Sequence, residues 1–306
     1  ICGSDIHVYH GKHPFTKYPV TQGHEVSGEI AEVGEGVTGF RKGQKVTVEP
    51  QIYCGKCYPC RHGKYNLCEN LKVMGFQAPG MAAEYFAVDA QKVTPLPEDM
   101  TYEEGAMLEP LAVAVHAVKR AGDVRGMKIA VLGAGPIGNL VAQTAKGLGA
   151  DKVMITDISD FRLKKAEKCG IDFCVNTKTK DFGEAMLEAF GPDKADVIYD
   201  CAGNNITMGQ AIKYARKGST IILVAVFAGM AEVDLAVAND HELDINSSMM
   251  YRHDDYLCGI ELLQENKVHL KPLISKIFSF RDYLEAYKYI DLNRETTMKV
   301  IIRVSE

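Results

Sequence analysis

Four cysteines lie close together in the pattern Cys54-x2-Cys57-x2-Cys60-x7-Cys68. Glycine, proline and asparagine residues between them let the backbone turn around one centre. Four thiolates suit a tetrahedral Zn²⁺ ion, with Zn–S distances near ~2.3 Å, and such a closed site leaves no position for a substrate. Two local disulfides or an iron–sulfur cluster are the alternatives, although the spacing fits no common ferredoxin pattern. We therefore predict a structural zinc site.

A second set of candidate ligands is dispersed along the sequence: Cys2, the pair His24 and Glu25 within Gly-His-Glu, and Glu109 before a proline. One thiolate, one imidazole and a carboxylate make the kind of open site that catalytic zinc uses, in which the remaining position accepts water or a substrate oxygen. Taken singly, each of these residues is more often a packed side chain than a ligand. The hypothesis therefore requires that they meet in space.

The sequence Gly133-Ala-Gly135-Pro136-Ile137-Gly138 directly follows an apolar run and opens a helical pattern. In such a turn the first glycine permits the tight bend, the second lets backbone amides approach a pyrophosphate, and the third allows close helix–strand packing. The helix N-terminus then faces the phosphates. Three glycines at this spacing are common by chance, but the strand before them is the context that the motif requires. We predict that these residues bind a dinucleotide.

Asp157 ends the next apolar run, nineteen residues after Gly138. A carboxylate at this place accepts hydrogen bonds from both ribose hydroxyls and repels a 2′-phosphate, so it favours NAD over NADP. Arg162 would weaken that discrimination, because NADP sites use an arginine nearby. The alternative is that Asp157 only caps the helix that begins near Ser159.

The elements that must position these residues fall into two classes. From Met127 onward, apolar runs alternate with amphipathic helical patterns, which predicts a doubly wound α/β domain with a parallel sheet over about residues 113–250. Before residue 110, short β-like runs between glycines and prolines predict an irregular β-rich domain. The predicted strands are 26–33, 44–49, 83–88, 128–133, 152–157, 173–176, 196–201, 220–226 and 298–304; the predicted helices are 137–148, 160–169, 182–190, 206–217, 256–265 and 281–290, with 270–280 extended.

The composition limits the classes of partner. The 306 residues carry a net charge of −5 with scattered Lys and Arg, so we expect no nucleic-acid partner. No apolar run approaches the ~20 residues that span a bilayer, so we expect no membrane segment. Thiols in a metal pattern, and the lack of a basic and apolar leader after Ile1, indicate a reducing compartment, and we expect the cytoplasm.

These motifs resemble, in their order, those of the zinc-dependent medium-chain alcohol dehydrogenases. The motifs are Cys-Gly-Ser-Asp-Ile-His at 2–7, Gly-His-Glu at 23–25, the four-cysteine segment, Glu-Pro-Leu-Ala-Val-Ala-Val-His at 109–116 and the glycine fingerprint. Within that family the chain is most similar to the polyol branch, which contains the sorbitol (L-iditol) and xylitol dehydrogenases. The resemblance implies a GroES-like β-rich catalytic domain over 1–112 and 251–306, and a Rossmann domain that binds NAD over 113–250.

The resemblance also implies roles for single residues. Cys2 and His24 match the catalytic zinc ligands, Glu25 matches a carboxylate that ligates directly or through water, and Glu109 matches the polyol branch's replacement for a cysteine ligand. Cys54, Cys57, Cys60 and Cys68 match the structural site, so two zinc ions per chain are implied. A carboxylate holds zinc more weakly than a thiolate does, so we expect the catalytic ion to exchange more readily.

Three further residues are implied to act on the substrate. Ser4 matches the hydroxyl that takes the alcohol proton, His7 matches the residue that passes it to solvent, and Arg252 is implied to hold a substrate hydroxyl. The alternatives stay open: Ser4 as a turn residue, His7 as a packed histidine, and Arg252 as half of a surface ion pair.

The implied reaction is hydride transfer from a secondary hydroxyl of a polyol to NAD⁺, with zinc as a Lewis acid and a ketose as product. Threonine, a phosphorylated polyol or a simple secondary alcohol are alternative substrates, and a non-catalytic NAD-binding protein is a minor alternative. The resemblance suggests a homotetramer or homodimer. Family members carry a few tens of residues before the cysteine that is Cys2 here, so we expect the sequence to be a fragment with a bare sheet edge.

Overall fold

The computed structural model describes residues 1–227 and 229–305. They divide into two compact units. Unit 1 contains Ile1–Glu109 and the chain from Ile274 onward, and unit 2 contains Pro110–Leu273. All candidate metal ligands named above lie in unit 1, whereas the glycine fingerprint lies in unit 2.

The α-helices differ in length from one turn to more than three. Within the two described ranges, no helix is both long and apolar enough to cross a membrane. The helices are α1 (Gly3–Tyr9), α2 (Tyr58–Arg61), α3 (Tyr102–Ala106), α4 (Leu108–Lys119), α5 (Pro136–Gly147), α6 (Asp160–Lys168), α7 (Phe182–Phe190), α8 (Asn205–Tyr214), α9 (Leu235–Asp240), α10 (His253–Gln264) and α11 (Tyr283–Leu292).

The strands contain between two and six residues. They are β1 (Ser27–Glu29), β2 (Lys45–Val48), β3 (Gln51–Ile52), β4 (Lys72–Val73), β5 (Val93–Pro95), β6 (Lys128–Leu132), β7 (Lys152–Asp157), β8 (Phe173–Asn176), β9 (Val197–Asp200), β10 (Thr220–Leu223), β11 (Asp244–Ser247), β12 (Ile274–Ser279) and β13 (Lys299–Arg303).

Unit 1 contains small sheets in its described residues. β1, β2 and β5 form an antiparallel sheet in that order, β3 pairs antiparallel with β4, and β12 pairs parallel with β13. Val46 and Val48 of β2 are buried, and the hydroxyl of Thr47 donates to the carbonyl oxygen of Val26 at 2.8 Å. The β-rich character predicted for the first part of the sequence is confirmed.

Unit 2 is built on a six-stranded parallel sheet in the order β11-β10-β9-β6-β7-β8. The strand order reverses between β6 and β9, and ligands of doubly wound sheets bind outside the carboxyl ends of the strands at such a point. Leu132 and Met154 of the sheet pack with Phe182 and Met186 of α7 in the core. The predicted Rossmann sheet is confirmed, and with it the α/β fold class.

Several segments differ from the sequence prediction, which did not contain the helices α1, α2, α3, α4 and α9. β11 was not predicted, because it reads Asp-Ile-Asn-Ser and pairs only with β10 at the edge of the sheet, where polar side chains face solvent. The run 83–88 forms no strand in the described structure, and Tyr85 within it is 80% exposed. The run 26–33 contributes only the three residues of β1. Alternating apolar residues alone therefore overestimated the β-content of unit 1.

Residues 251–273 belong to unit 2, whereas the sequence prediction grouped residues 251–306 with the first domain. The imidazole of His116 on α4 hydrogen-bonds Asp255 on α10 at 2.8 Å, and the backbone amide of His269 donates to the side chain of Gln143 on α5 at 2.6 Å. These polar contacts join the segment to the parallel-sheet unit. The predicted division into functional domains stays a prediction.

Candidate active site and metal centres

The four cysteines of the predicted structural site converge. Their Sγ atoms all lie within 4.8 Å of one another, and each thiol is free. The Sγ atom of Cys57 is 3.4 Å from that of Cys60 and 3.8 Å from that of Cys68. These separations are much longer than the ~2.05 Å of a disulfide bond, so the thiols are spaced as ligands of a common centre.

Backbone amides surround the sulfur atoms. The amide of Cys57 donates to Sγ of Cys54 at 3.4 Å, and the amide of Cys54 donates to Sγ of Cys68 at 3.3 Å. The amides of Lys56 and Cys57 lower the pKa of the Cys54 thiol to about 6, because they stabilise its thiolate. Burial raises the pKa of Cys60 to about 12, so this thiol needs a cation to lose its proton near neutral pH. The donor set fits one tetrahedral Zn²⁺ ion.

Cys2, His24 and Glu25 form a second group. Each offers one ligand atom, and these atoms all lie within 4.8 Å of one another. Cys2 stands at the N-cap position of α1, and the other two residues precede β1. The ring of Phe76 packs against the His24 ring with centroids 4.8 Å apart. Residues far apart in the sequence are thus brought to one point, as the open-site hypothesis requires.

Asp5, in the first turn of α1, contacts two members of this group. Its Oδ2 atom accepts the backbone amide of Cys2 at 2.8 Å, and its Oδ1 atom forms an ion pair with Nδ1 of His24 at 3.2 Å. Burial alone would lower the pKa of His24, but the charge of Asp5 raises it well above the usual value. Burial would raise the pKa of Asp5, yet His24 lowers it to about 2. Neither Nδ1 of His24 nor Oδ1 of Asp5 has a hydrogen-bond partner among the described residues, so the two groups interact as an ion pair.

Glu25 is paired with Lys299 on β13. The Nζ atom of Lys299 lies 2.6 Å from Oε1 and 2.7 Å from Oε2 of Glu25, and Lys299 is only 3% exposed. Burial would raise the pKa of Glu25, but the ammonium group lowers it; burial would lower the pKa of Lys299, but the carboxylate raises it. The charged pair keeps Glu25 ionised beside Cys2 and His24.

Glu109 lies in the first turn of α4 and is buried. It does not belong to the three-residue group whose ligand atoms converge. Burial lowers the pKa values of His24 and Lys299, and the charge of Glu109 helps their direct partners to raise them. The carboxylate is therefore within electrostatic range of the group.

Ser4 and His7 both lie on α1. They are three residues apart, so they share one face of the helix. Ser4 is half-buried and His7 is exposed. Exposure therefore rises from Ser4 to His7, in the order of the predicted proton path.

The glycine loop between β6 and α5 has the space that a dinucleotide needs. A Cβ atom on Gly133 would lie 3.1 Å from Cβ of Ala202, and one on Gly138 would lie 1.8 Å from the carbonyl oxygen of Gly133. A Cβ atom on Gly135 would meet nothing within 4 Å. Gly135 is the N-cap of α5, whose first turn contains Pro136 and Ile137. The loop therefore leaves open space at a helix N-terminus, where a pyrophosphate binds well.

Asp157 is buried at the end of β7. Its Oδ2 atom accepts the amide of Ala134 at 2.7 Å, and its Oδ1 atom accepts the amide of Ser159 at 2.9 Å. Ser159, not Asp157, is the N-cap of α6. Nη1 of Arg162 lies 3.7 Å from Oδ2 of Asp157. Asp157 and Arg162 are thus neighbours. The sequence predicts that they have opposite effects on the binding of a 2′-phosphate.

Arg252 precedes α10 in unit 2 and is half-buried. Its Nε atom is buried without a hydrogen-bond partner in the described part of the chain. Asp255 is bound instead by the backbone amide of Arg252 at 2.9 Å, the His116 ring at 2.8 Å and Nζ of Lys119 at 3.0 Å. His116 is therefore a buried histidine with a structural partner, and Asp255 is occupied by contacts other than the Arg252 guanidinium.

Sequence analysis missed two residues that hold the Cys2 group, Asp5 and Lys299. Asp5 lies inside the Cys-Gly-Ser-Asp-Ile-His motif, but the sequence pattern gave no reason to assign it a role of its own. Lys299 had a usable signal, because it is a charged residue at the start of the apolar run that forms β13. A lysine that enters a buried strand requires an acidic partner.

Comparison with known protein families gives two matches. Residues 1–98 match the alcohol dehydrogenase GroES-like domain, and residues 136–265 match the zinc-binding dehydrogenase domain. The two matches follow each other along the chain. Outside them lie the motif at 109–116, the start of the glycine fingerprint at 133–135 and the segment after residue 265.

Individual proteins are similar over nearly the whole chain. A 2-dehydro-3-deoxy-L-galactonate 5-dehydrogenase of Pseudoalteromonas atlantica is 35% identical, over 99% of this chain and 88% of its own length. A sorbitol dehydrogenase of Halalkalibacterium halodurans is 38% identical, over 95% of this chain and 85% of its own. The structure of an alcohol dehydrogenase from Escherichia coli CFT073, complexed with NADH, is 33% identical with a TM-score of 0.91, over 99% of this chain and 89% of its own.

Proposed function

Since the chain belongs to the zinc-dependent medium-chain alcohol dehydrogenase family, we propose that it oxidises a secondary hydroxyl of a polyol with NAD⁺ and releases a ketose. The similarity to a sorbitol dehydrogenase and to a sugar-acid dehydrogenase supports a polyhydroxylated substrate. The observation that carries the proposal is the convergence of Cys2, His24 and Glu25 within 4.8 Å, with the charge of Glu109 in range.

In this proposal Cys2 and His24 hold the catalytic zinc, and Glu25 and Glu109 supply carboxylate ligands, directly or through water. Zinc bound there supplies Lewis acidity that lowers the pKa of the substrate hydroxyl, and bound NAD⁺ supplies the hydride acceptor. Asp5 orients the His24 ring through their ion pair. Lys299 holds Glu25 in its ionised form.

The proton of the alcohol leaves through α1. We assign its first acceptor to the Oγ atom of half-buried Ser4, and its release to solvent to the exposed imidazole of His7. The two side chains share one helix face, so the transfer needs no large movement of the backbone. Arg252 binds another hydroxyl of the substrate in this proposal.

The cofactor site is assigned to unit 2. The pyrophosphate lies at Gly133, Gly135 and Gly138, with Pro136 and Ile137 in the helix turn that faces it. Asp157 accepts the ribose hydroxyls, and Arg162 lies beside it. Cys54, Cys57, Cys60 and Cys68 hold the structural zinc. We place the enzyme in the cytoplasm as a homotetramer or homodimer, with the predicted functional domains 1–112 plus 251–306 and 113–250.

A substrate panel tests the proposal. We expect NADH formation with at least one pentitol or hexitol, faster than with threonine, a phosphorylated hexitol or a simple secondary alcohol. His24→Ala should abolish turnover while NAD affinity stays near the wild-type value. His10→Ala, a change of an exposed histidine that bonds Asp291, is the matched control and should remain active. No polyol turnover by the zinc-loaded wild type, or equal loss of turnover and NAD affinity in His24→Ala, would refute the proposal.

A further inference from the structure

A second histidine lies close to the candidate metal group. The ring of His13 stacks on the ring of Phe76, with centroids 4.8 Å apart and an angle of 16° between the planes. The same Phe76 ring packs against His24, also at 4.8 Å. Phe76 is buried, so it holds both imidazoles in fixed places. His13 is therefore separated from a predicted zinc ligand by one aromatic ring.

The hydrogen bonding of His13 leaves one nitrogen available. The hydroxyl of Thr16, a buried residue, lies 2.7 Å from Nδ1 of His13. Nε2 has no hydrogen-bond partner among residues 1–227 and 229–305. A neutral imidazole presents Nε2 as a donor when Nδ1 accepts, and as an acceptor when Nδ1 donates. Either form binds an alcohol hydroxyl, because a hydroxyl both donates and accepts.

The surroundings of His13 are those of the candidate site. Burial, followed by the charge of His7, lowers the pKa of His13, while the charge of Asp5 acts in the opposite direction. The ring of Phe15 also contacts His13, with centroids 6.2 Å apart. Phe15 and Phe76 line a cavity of about 760 Å³ in unit 1, and small-molecule sites usually measure ~300–1,000 Å³. His13 is not itself a lining residue of this cavity, but both of its aromatic neighbours are, and one of them also packs against His24.

We propose that His13 determines specificity: its Nε2 atom binds a polyol hydroxyl remote from the carbon that is oxidised. This inference rests on the proposed function, because it needs a polyhydroxylated substrate. His13 and His24 lie on one Phe76 ring, so an extended sugar alcohol reaches both. A simple secondary alcohol has no second hydroxyl and makes no use of His13. The residue therefore selects polyols over simple alcohols without touching the reacting atoms.

The variant His13→Phe tests this assignment. Phenylalanine keeps a flat ring for stacking on Phe76 and removes both nitrogens. We expect kcat/KM for the best polyol to fall about three- to ten-fold, the effect of one lost hydrogen bond between neutral groups, and chiefly through KM. The value for a simple secondary alcohol should stay at the wild-type level. Thr16→Val, which frees Nδ1, should give a smaller loss in the same direction.

A matched control and a second measurement complete the test. His10→Phe makes the same change on an exposed histidine three positions away and should leave the ratio of the two kcat/KM values unchanged. Excess polyol should raise the unfolding temperature of the wild type more than that of His13→Phe. Equal losses with both substrates, or no loss with the polyol, would overturn the role of His13. Absence of polyol turnover by the wild type would instead refute the proposed function, and the inference with it.

Discussion

The predicted zinc ligands Cys2, His24 and Glu25 are held by two buried charged residues. Asp5 contacts the backbone of Cys2 and the ring of His24, and Lys299 contacts both oxygens of Glu25. Each buried charge has an opposite charge as its partner, which is the condition under which ions are tolerated inside a protein. The partners fix the orientation of the ligands before any metal arrives, and outer partners of this kind contribute to metal affinity.

The first prediction concerns Asp5→Asn, which keeps the shape of the side chain and removes its charge. Zinc affinity at the Cys2 group should fall about 10–100-fold at alkaline pH. In the wild type the raised pKa of His24 means that protons compete with zinc as the pH falls through that value. Without the charge of Asp5 the pKa of His24 falls, so the decline in affinity should begin at a lower pH.

Competition with a chelating dye over a pH series measures both effects. Asp291→Asn is the control, because Asp291 also pairs with a histidine, His10, but at a partly exposed position. It should change neither the affinity nor its pH dependence. An Asp5→Asn curve that coincides with the wild-type curve would show that Asp5 does not act through His24.

The second prediction concerns Lys299→Met, which removes the ammonium group that contacts both oxygens of the buried Glu25 carboxylate. Removal of one partner from a buried ion pair costs about 3–5 kcal/mol in the free energy of unfolding. We expect a loss of that size in urea unfolding. Arg303→Met on the same strand removes the pair with Glu103 at a mostly exposed position, and should cost at most about 1 kcal/mol. The double variant Glu25→Leu/Lys299→Met should regain much of the stability. Equal losses of stability in Lys299→Met and Arg303→Met would contradict this account.

At the level of elements, the sequence predicts buried strands and long helices well. β7 and α7 have the predicted bounds, because a continuous apolar run and a 3.6-residue period are strong signals. The prediction fails where neighbouring segments determine whether a strand forms, as in the polar edge strand β11 and the unpaired run 83–88. The same holds for the site. Ligand types are visible in the sequence, whereas the packing of His13 on Phe76 and the pairing of Lys299 with Glu25 depend on tertiary contacts.

The end of β7 and the glycine loop act as one element. Asp157 binds the amide of Ala134 inside the loop and the amide of Ser159 at the start of α6. The carboxylate therefore has two effects on a cofactor: its charge repels a 2′-phosphate, and its hydrogen bonds hold the loop that receives the pyrophosphate. A test of cofactor choice has to separate them.

The third prediction uses Asp157→Asn, which removes the negative charge and keeps one of the two side-chain oxygens that accept backbone amides. The lost hydrogen bond affects both cofactors alike, so the ratio between them reports the charge. With repulsion reduced and Arg162 nearby, the ratio of kcat/KM for NADP⁺ to that for NAD⁺ should rise about ten-fold or more. Asp160→Asn, the same change at an exposed position in the next turn, should leave the ratio unchanged. An unchanged ratio in Asp157→Asn would remove Asp157 from its assigned role.

For the whole molecule, the two metal centres lie in the same unit but have different donor sets. Four thiolates enclose one centre, whereas a thiolate, an imidazole and a carboxylate form the other. Thiolates hold zinc more firmly than carboxylates do, and a closed site has no position for an attacking ligand. Loss of the zinc ion should also affect the stability of the two centres differently. The Cys54–Cys68 segment contains only a single turn of α-helix and a short 3₁₀ turn, so its shape depends on the ion, whereas the Cys2 group is held by Asp5 and Lys299.

The fourth prediction follows from this difference. Purified protein should contain two zinc ions per chain by elemental analysis, and a short exposure to a chelator should remove one of them. At that stage turnover should be lost and restored by added zinc, while the unfolding temperature should change little. Longer chelation should remove the second ion and lower the unfolding temperature clearly, because metal binding at a closed site contributes directly to folding. Cys54→Ser lacks one thiolate of the closed site. In this variant the chelator should lower the unfolding temperature before it abolishes turnover. A single zinc ion per chain in carefully loaded protein, or removal of both ions at one rate, would show that the two centres do not differ as their donor sets imply.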